Sequence, residues 1–181
     1  MATILIVTGS VRPQSVNSKV VPLIKEKVEQ AGRDVVVADL GVLDLPFFND
    51  AHAPSQDEFA PTDERVLEWT DMVRKADGVV FVMPEYNHTM SPVQLNAIDW
   101  IFKEWAEKPV ALIGYGWTSG AAQSQATARE ALAVNLKANV GETTTNLFFM
   151  KDIGTDGSIL DQAAFDEKTT ATLEELYAAT K

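Results

Sequence analysis

The stretch ILIVTGSVRPQSVNSKVV, residues 4–21, carries the first decision about the fold. It opens on an unbroken apolar run, the pattern of a parallel strand covered on both faces. Gly9 ends that run, and a serine-rich loop with a single arginine follows. Beyond it Val20, Val21, Ile24 and Val28 recur at helical spacing, and Gly32 suits the C-terminal end of a helix spanning Asn17 to about Gly32. Strand, loop and helix in this order begin a βαβ unit.

The same alternation continues to the end of the chain. RDVVVADL (33–40) reads as a second strand, and ERVLEWTDMVRKAD (64–77) as a helix with Val66, Trp69 and Val73 inward. GVVFVMP (78–84) is a third strand stopped by Pro84, and SPVQLNAIDWIFKEW (91–105) starts a helix with Ser91 as N-cap and Pro92 at N1. KPVALIGYG (108–116) is a fourth strand, SGAAQSQATAREALAVNLKANV (119–140) a fourth helix and ETTTNLFFM (142–150) a fifth strand. Asp161 to Lys181 forms a last helix with Phe165, Leu173, Leu176 and Tyr177 on its apolar face.

Strands alternating with helices imply a parallel sheet with helices on both faces, because right-handed crossovers put them there. The expected architecture is an α/β three-layer sandwich of flavodoxin-like type, a five-stranded parallel sheet in the order 2-1-3-4-5, in one domain over residues 1–181. Ligands of such sheets bind beyond the carboxyl ends of the strands, beside strand 1. The irregular stretch from Gly41 to Asp63 is long enough to be functional or mobile.

Composition narrows the partners. A net charge of −11 disfavours polyanions such as bulk nucleic acid or an anionic membrane surface, yet leaves room for one phosphate in one pocket. No window reaches the length of a membrane span, and the N-terminus reads as a strand and not as a signal peptide. With no cysteine and only His52 and His88, a metal site is not expected, and the default compartment is the cytoplasm.

Three loops fall at the carboxyl ends of strands 1, 3 and 4. The first, Gly9 to Ser18, matches neither the Walker spacing nor the dinucleotide fingerprint. It offers hydroxyls at Ser10, Ser15 and Ser18, an amide at Asn17, a guanidinium at Arg12 and a helix N-terminus, a set suited to a dianionic phosphate. The plainer alternative is that Ser15 or Asn17 caps the helix. The second loop, MPEYNHTMSP (83–92), supplies Tyr86 and a short backbone for a planar heterocycle, although PEYN by itself is also an ordinary turn. The third, GYGWTSGAA (114–122), has glycines that let backbone approach a flat ligand, or that form a turn with none.

Together these loops resemble the NADPH-dependent FMN reductase family of flavodoxin-like proteins. The likeness rests on Gly9, Ser10, Arg12, Ser15 and Asn17, on Pro84-Glu85-Tyr86-Asn87 followed by Asn96-Ala97-Ile98-Asp99-Trp100, on Gly114 to Gly120, and on Asp44-Leu45-Pro46-Phe47-Phe48. It runs from about Ala2 to Phe149. The resemblance implies noncovalent FMN, NADPH or NADH as electron donor, and flavin, quinone, azo or metal-oxyanion acceptors, in a homodimer or homotetramer. Phosphate then falls to Ser10, Arg12, Ser15, Asn17 and Ser18, and ring contacts to Pro84, Glu85, Tyr86 and Asn87, with Gly116 and Ser119 at the other ring edge. Many relatives carry a small pair after PEYN where this chain has His88-Thr89-Met90, and His88 is a candidate proton donor to an acceptor. The acidic segment from Asn49 to Pro61 covers a neighbouring flavin or is solvated surface. A flavodoxin-type electron carrier or flavin redox sensor shares the fold and is the competing class, and a flavin-free phosphate-binding protein is a third.

Overall fold

The computed structural model describes residues 1–180. Four strands follow the expected segments: β1 Thr3–Thr8, β2 Asp34–Ala38, β3 Gly78–Pro84 and β4 Pro109–Gly116. The fifth position is split. Asn139–Val140 (β5) pairs with the start of β4, and Thr145–Phe148 (β6) pairs with its end, both in parallel register. The sheet order is β2-β1-β3-β4-β5, with β6 also against β4, which is the flavodoxin-like order. The split strand differs from the single run expected at 142–150, and Asn139–Val140 was expected to close a helix. Only four residues of polar or small character, Gly141 to Thr144, separate the two segments, and two of their amides leave the ladder for the Glu175 carboxylate, which accepts from Glu142 N at 2.7 Å and Thr143 N at 2.8 Å.

The helices are α1 Asn17–Gln30, a single turn α2 Leu40–Leu43, α3 Glu64–Lys75, α4 Pro92–Asp99, α5 Ala122–Arg129 and α6 Gln162–Ala179. α5 continues as a π-helical turn over Glu130–Asn135. The expected last helix extended to Lys181, which lies outside the described residues. Ser91 accepts from Gln94 N with Pro92 in the first turn, so α4 starts as its sequence requires.

Strand side chains alternate between two cores, which is why the strands read as continuous apolar runs. Leu5, Val7, Val79, Phe81, Val110 and Leu112 join Trp69 and Trp105 beneath α2, α3 and α4. Ile4, Ile6, Val80, Val82, Ala111 and Ile113 face α1 and α6. Each fully buried aliphatic side chain contributes roughly 1.5–3 kcal/mol.

The stretch after α2 is pinned by the helix whose motif was read beside it. Asn96 Nδ2 and Trp100 Nε1 both donate to Pro46 O, at 2.9 and 2.7 Å, and Phe48 N donates to Asn96 Oδ1 at 2.9 Å. Phe48 stands edge-on to Trp100 with centroids 5.0 Å apart. Asp44–Phe48 and the Asn96–Trp100 motif are therefore one clamp.

Candidate functional site

Gly9 turns the chain out of β1 where no side chain fits: a Cβ there would lie 2.3 Å from both Val82 O and Pro84 Cδ. Its N–H donates to Asn17 Oδ1 at 2.5 Å, and Asn17 Nδ2 donates to the Tyr115 hydroxyl at 2.6 Å. Asn17 is thus a buried brace between the end of β1 and the end of β4. Burial pushes the Tyr115 phenol well above its ordinary value, with the nearby Tyr86 adding to the rise, so Tyr115 stays neutral.

The first loop does not cap α1. The N-cap residue is Val16, and no side chain closes the helix start. The backbone N–H groups of Val16 and Asn17 have no protein acceptor among the described residues. Ser18 Oγ donates to Ser15 O at 2.7 Å. The terminus keeps open donors where the helix dipole favours an anion.

Ser10 Oγ and Tyr86 OH lie 2.7 Å apart and link the first loop to the second. The second loop is a tight hairpin: Tyr86 N donates to Thr89 O at 3.0 Å and Thr89 N to Tyr86 O at 3.1 Å. Its two tip residues, Asn87 (φ 51°) and His88 (φ 61°), are both left-handed, the geometry of a type I′ turn. Glu85 reaches toward the third loop with one carboxylate oxygen and stays beside the tip with the other. Its side chain is only 7% exposed and meets Ser119 and the start of α5, with His88 Nδ1 3.5 Å from the other carboxylate oxygen. Gly116 packs close to Glu85 and Ala121, so its missing side chain serves the contact between the second and third loops.

These loops enclose a cavity of about 310 Å³, at the lower end of the size typical of ligand pockets. Ser10, Arg12 and Ser15 line one part, and Pro84, Glu85 and Tyr86 another. Of the remaining residues singled out from sequence, Asn17 and Ser18 border an adjoining hollow beside α2. Asn87 borders a third hollow on the other flank of Tyr86, again with Arg12 and Glu85. Gly116 and Ser119 sit behind Glu85.

Besides Pro13, Gln14 and Val16 of the first loop, sequence reasoning missed Tyr115, Trp117, Phe149 and Thr155 among the lining residues. Three of them form an aromatic ladder, Tyr115 against Phe149 at 5.9 Å and Phe149 against Trp117 at 5.2 Å. Trp117 at the end of the ladder is 63% exposed, against 3% or less for Trp69, Trp100 and Trp105. A tryptophan set among Gly114, Gly116 and Gly120 was the available signal. The donor set fits FMN, with a cation, hydroxyls and open amides for a phosphate and aromatic walls for a planar ring.

Comparison with known proteins decides the family. A model of the NADPH-dependent FMN reductase family matches residues 2–148. The chain belongs to that family. An NAD(P)H-dependent FMN reductase of Nectria sp is 31% identical over 96% of this chain and 89% of its own length. Another from Saccharomyces cerevisiae is 32% identical over 64% of this chain and 65% of its length. Among solved structures, FerB, a flavoenzyme NAD(P)H:(acceptor) oxidoreductase from Paracoccus denitrificans, superposes with a TM-score of 0.79 at 25% identity, covering 99% and 97% of the two chains. As a member of the FMN reductase family the chain is an oxidoreductase that uses FMN as cofactor and NAD(P)H as donor, which separates it from flavodoxin-type carriers. No helix among the described residues is long and apolar enough to cross a membrane.

Proposed function

We propose that this reductase, a single domain over residues 1–181, holds the FMN phosphate at Ser10, Arg12, Ser15 and Ser18 and at the open amides that begin α1. Asn17 serves the same end by bracing Gly9 against Tyr115. In this reading Pro84, Glu85, Tyr86 and Asn87 hold the flavin ring, with Gly116 and Ser119 supporting its other edge. The observation that carries it is that Arg12 and Ser15 line one cavity with Pro84, Glu85 and Tyr86, although about 70 residues of chain separate the two sets.

FMN held there would supply the hydride chemistry that links NAD(P)H to an acceptor. The chain's own residues bind and orient. Arg12 offsets the phosphate charge, the Ser10–Tyr86 contact fixes the second loop over the cavity, and the Trp117–Phe149 pair excludes water from one side. The acceptors are small flavin, quinone, azo or metal-oxyanion compounds. The exposed indole of Trp117 at the cavity supports flat apolar acceptors among these.

The test is the visible spectrum of the purified protein under anaerobic conditions, before and after NADPH or NADH. A flavin band bleached by either nucleotide without an added partner is expected. A colourless preparation that takes up no added FMN would sink the reading.

The enzyme works as a homodimer or homotetramer in the cytoplasm. Support for self-association comes from large apolar side chains left exposed around one helical layer: Val42, Phe47, Leu67, Leu95 and Phe102. The cysteine-free sequence supports the compartment. Analytical ultracentrifugation decides the first point, and a monomer at micromolar concentration would overturn it.

A further inference from the structure

The family match stops at residue 148, but the wall of the cavity does not. From Phe149 the chain folds back as a hairpin. Met150 N donates to Ile153 O at 2.8 Å, Gly154 N to Ser158 O at 2.7 Å, and Ile153 bridges Ile159.

Three attachments fix this hairpin. Ile153 is fully buried in the core beneath α1 and α6. Asp152, also fully buried, accepts from Phe148 N at 2.9 Å and from Lys168 Nζ at 2.7 Å. Gly157 is left-handed, with φ 84°, and a Cβ there would lie 2.7 Å from Lys19 Cβ and 2.9 Å from Lys19 Cγ. Only glycine lets the hairpin tip rest on the first turns of α1.

That docking carries Thr155 to the phosphate loop. Its side chain is exposed, lines the cavity with Ser10, Arg12 and Ser15, and its hydroxyl has no partner among the described residues. The neighbouring carboxylate of Asp156 is turned inward to its own hairpin, accepting from Ser158 N at 3.0 Å and Ser158 Oγ at 2.7 Å.

We propose that Thr155 donates a hydrogen bond to the phosphate monoester of FMN, so that a hairpin outside the family-matched segment completes the phosphate subsite. The inference rests on the assignment of FMN to this cavity. A hydroxyl bonded to a phosphate oxygen is charge-assisted, and the hairpin is held in place before the ligand arrives, so little ordering opposes binding.

Titration of the apoprotein with FMN and with riboflavin, followed by flavin fluorescence, tests it. Riboflavin has the same ring and ribityl chain without the phosphate. Thr155→Val is expected to weaken FMN about tenfold and leave riboflavin unchanged, and Thr155→Ser to restore FMN affinity to within about twofold of the parent. Arg12→Ala provides the separate control on the cavity itself. If Arg12→Ala weakens FMN and Thr155→Val does not, the inference fails and the FMN site stands. Equal losses for FMN and riboflavin in Thr155→Val also overturn it, since the hydroxyl then does not serve the phosphate. If neither variant changes FMN affinity, the assignment of the cavity falls as well.

Discussion

The carboxylate of Glu85, at the end of β3, accepts a hydrogen bond of 2.6 Å from Ser119 Oγ in the loop after β4. The same oxygen accepts from Gln123 N at 3.1 Å and Ser124 N at 3.4 Å, amides of the first turn of α5. Ala121, the N-cap residue of α5, has no side chain able to do this. Glu85 therefore caps a helix from across the sheet, with its negative charge at the positive end of the dipole. Glu85→Ala should lower stability by about 1–2 kcal/mol, in the range of a lost cap. Urea denaturation of the apoprotein measures it, and an unchanged midpoint with an unchanged slope would remove the capping role.

His88 occupies the second tip position of the Tyr86–Thr89 hairpin with φ 61°, where a glycine would sit without strain. A left-handed non-glycine residue costs roughly 1–2 kcal/mol, and the greater freedom of glycine in the unfolded chain returns about 0.4–1. His88→Gly should thus raise stability by roughly 0.5–1 kcal/mol, measured by the same denaturation. The contact with Glu85 is too exposed on the histidine side to offset this, with 67% of that side chain in solvent. The same variant tests the imidazole as proton donor: its quinone-reductase rate should fall relative to the parent, and an unchanged rate would end that idea.

The buried Asp152 and the half-buried Lys168 make an ion pair behind the cavity hairpin. Burial alone would raise the Asp152 carboxyl, but hydrogen bonds from Lys168 and from Phe148 N outweigh it, and the group lies below its ordinary value. A carboxyl lowered in the folded state adds stability above the unfolded value, about 3.9, and that stability is lost as pH falls through the folded value. The pair should therefore lose its contribution only below about pH 4. Lys168→Met leaves the carboxylate buried without a charged partner, at a cost of roughly 3 kcal/mol at pH 7. In that variant burial raises the carboxyl, so the deficit against the parent should shrink on acidification to pH 4. A deficit that stays constant between the two pH values would show that the lysine acts by packing alone.

Trp117 is the one exposed indole among four, and it lines the cavity. Adding FMN to the apoprotein should quench the long-wavelength part of the tryptophan emission, which comes from solvent-exposed indole. Trp117→Phe should remove that component and the FMN-dependent change with it. Equal quenching in parent and variant would assign the effect to the buried tryptophans and detach Trp117 from the ligand.

How far the sequence could be read differs from segment to segment. β1, β3 and β4 are apolar on both faces, so periodicity and length located them with little ambiguity. β5 and β6 are two and four residues long, too short for any periodic signal, and their split depends on Glu175 more than 30 positions away. In the site, the loops announced themselves by glycine exits and clustered hydroxyls. The partnerships inside them did not: Glu85 and Ser119 were read as separate ring contacts, and they are bonded to each other across 34 positions. Asn17 was read with the phosphate set, and its amide is engaged at both ends with Gly9 and Tyr115. Tyr115 itself closes an apolar strand and reads as core. Thr155 carries no local signal, because what brings it to the cavity is the contact of Gly157 with Lys19.

The two cores divided by the sheet answer to different demands. The layer of α1 and α6 supplies Val16, Tyr115 and Phe149 to the cavity, whereas no side chain of the core beneath α2, α3 and α4 lines it. Substitutions more than about 7–10 Å apart with no shared partner act independently on stability. One half of the molecule is then held to its shape by the cofactor, and the other is free to drift. New surfaces on the drifting half, for a different neighbour or a different assembly, can be acquired with the flavin chemistry left as it was.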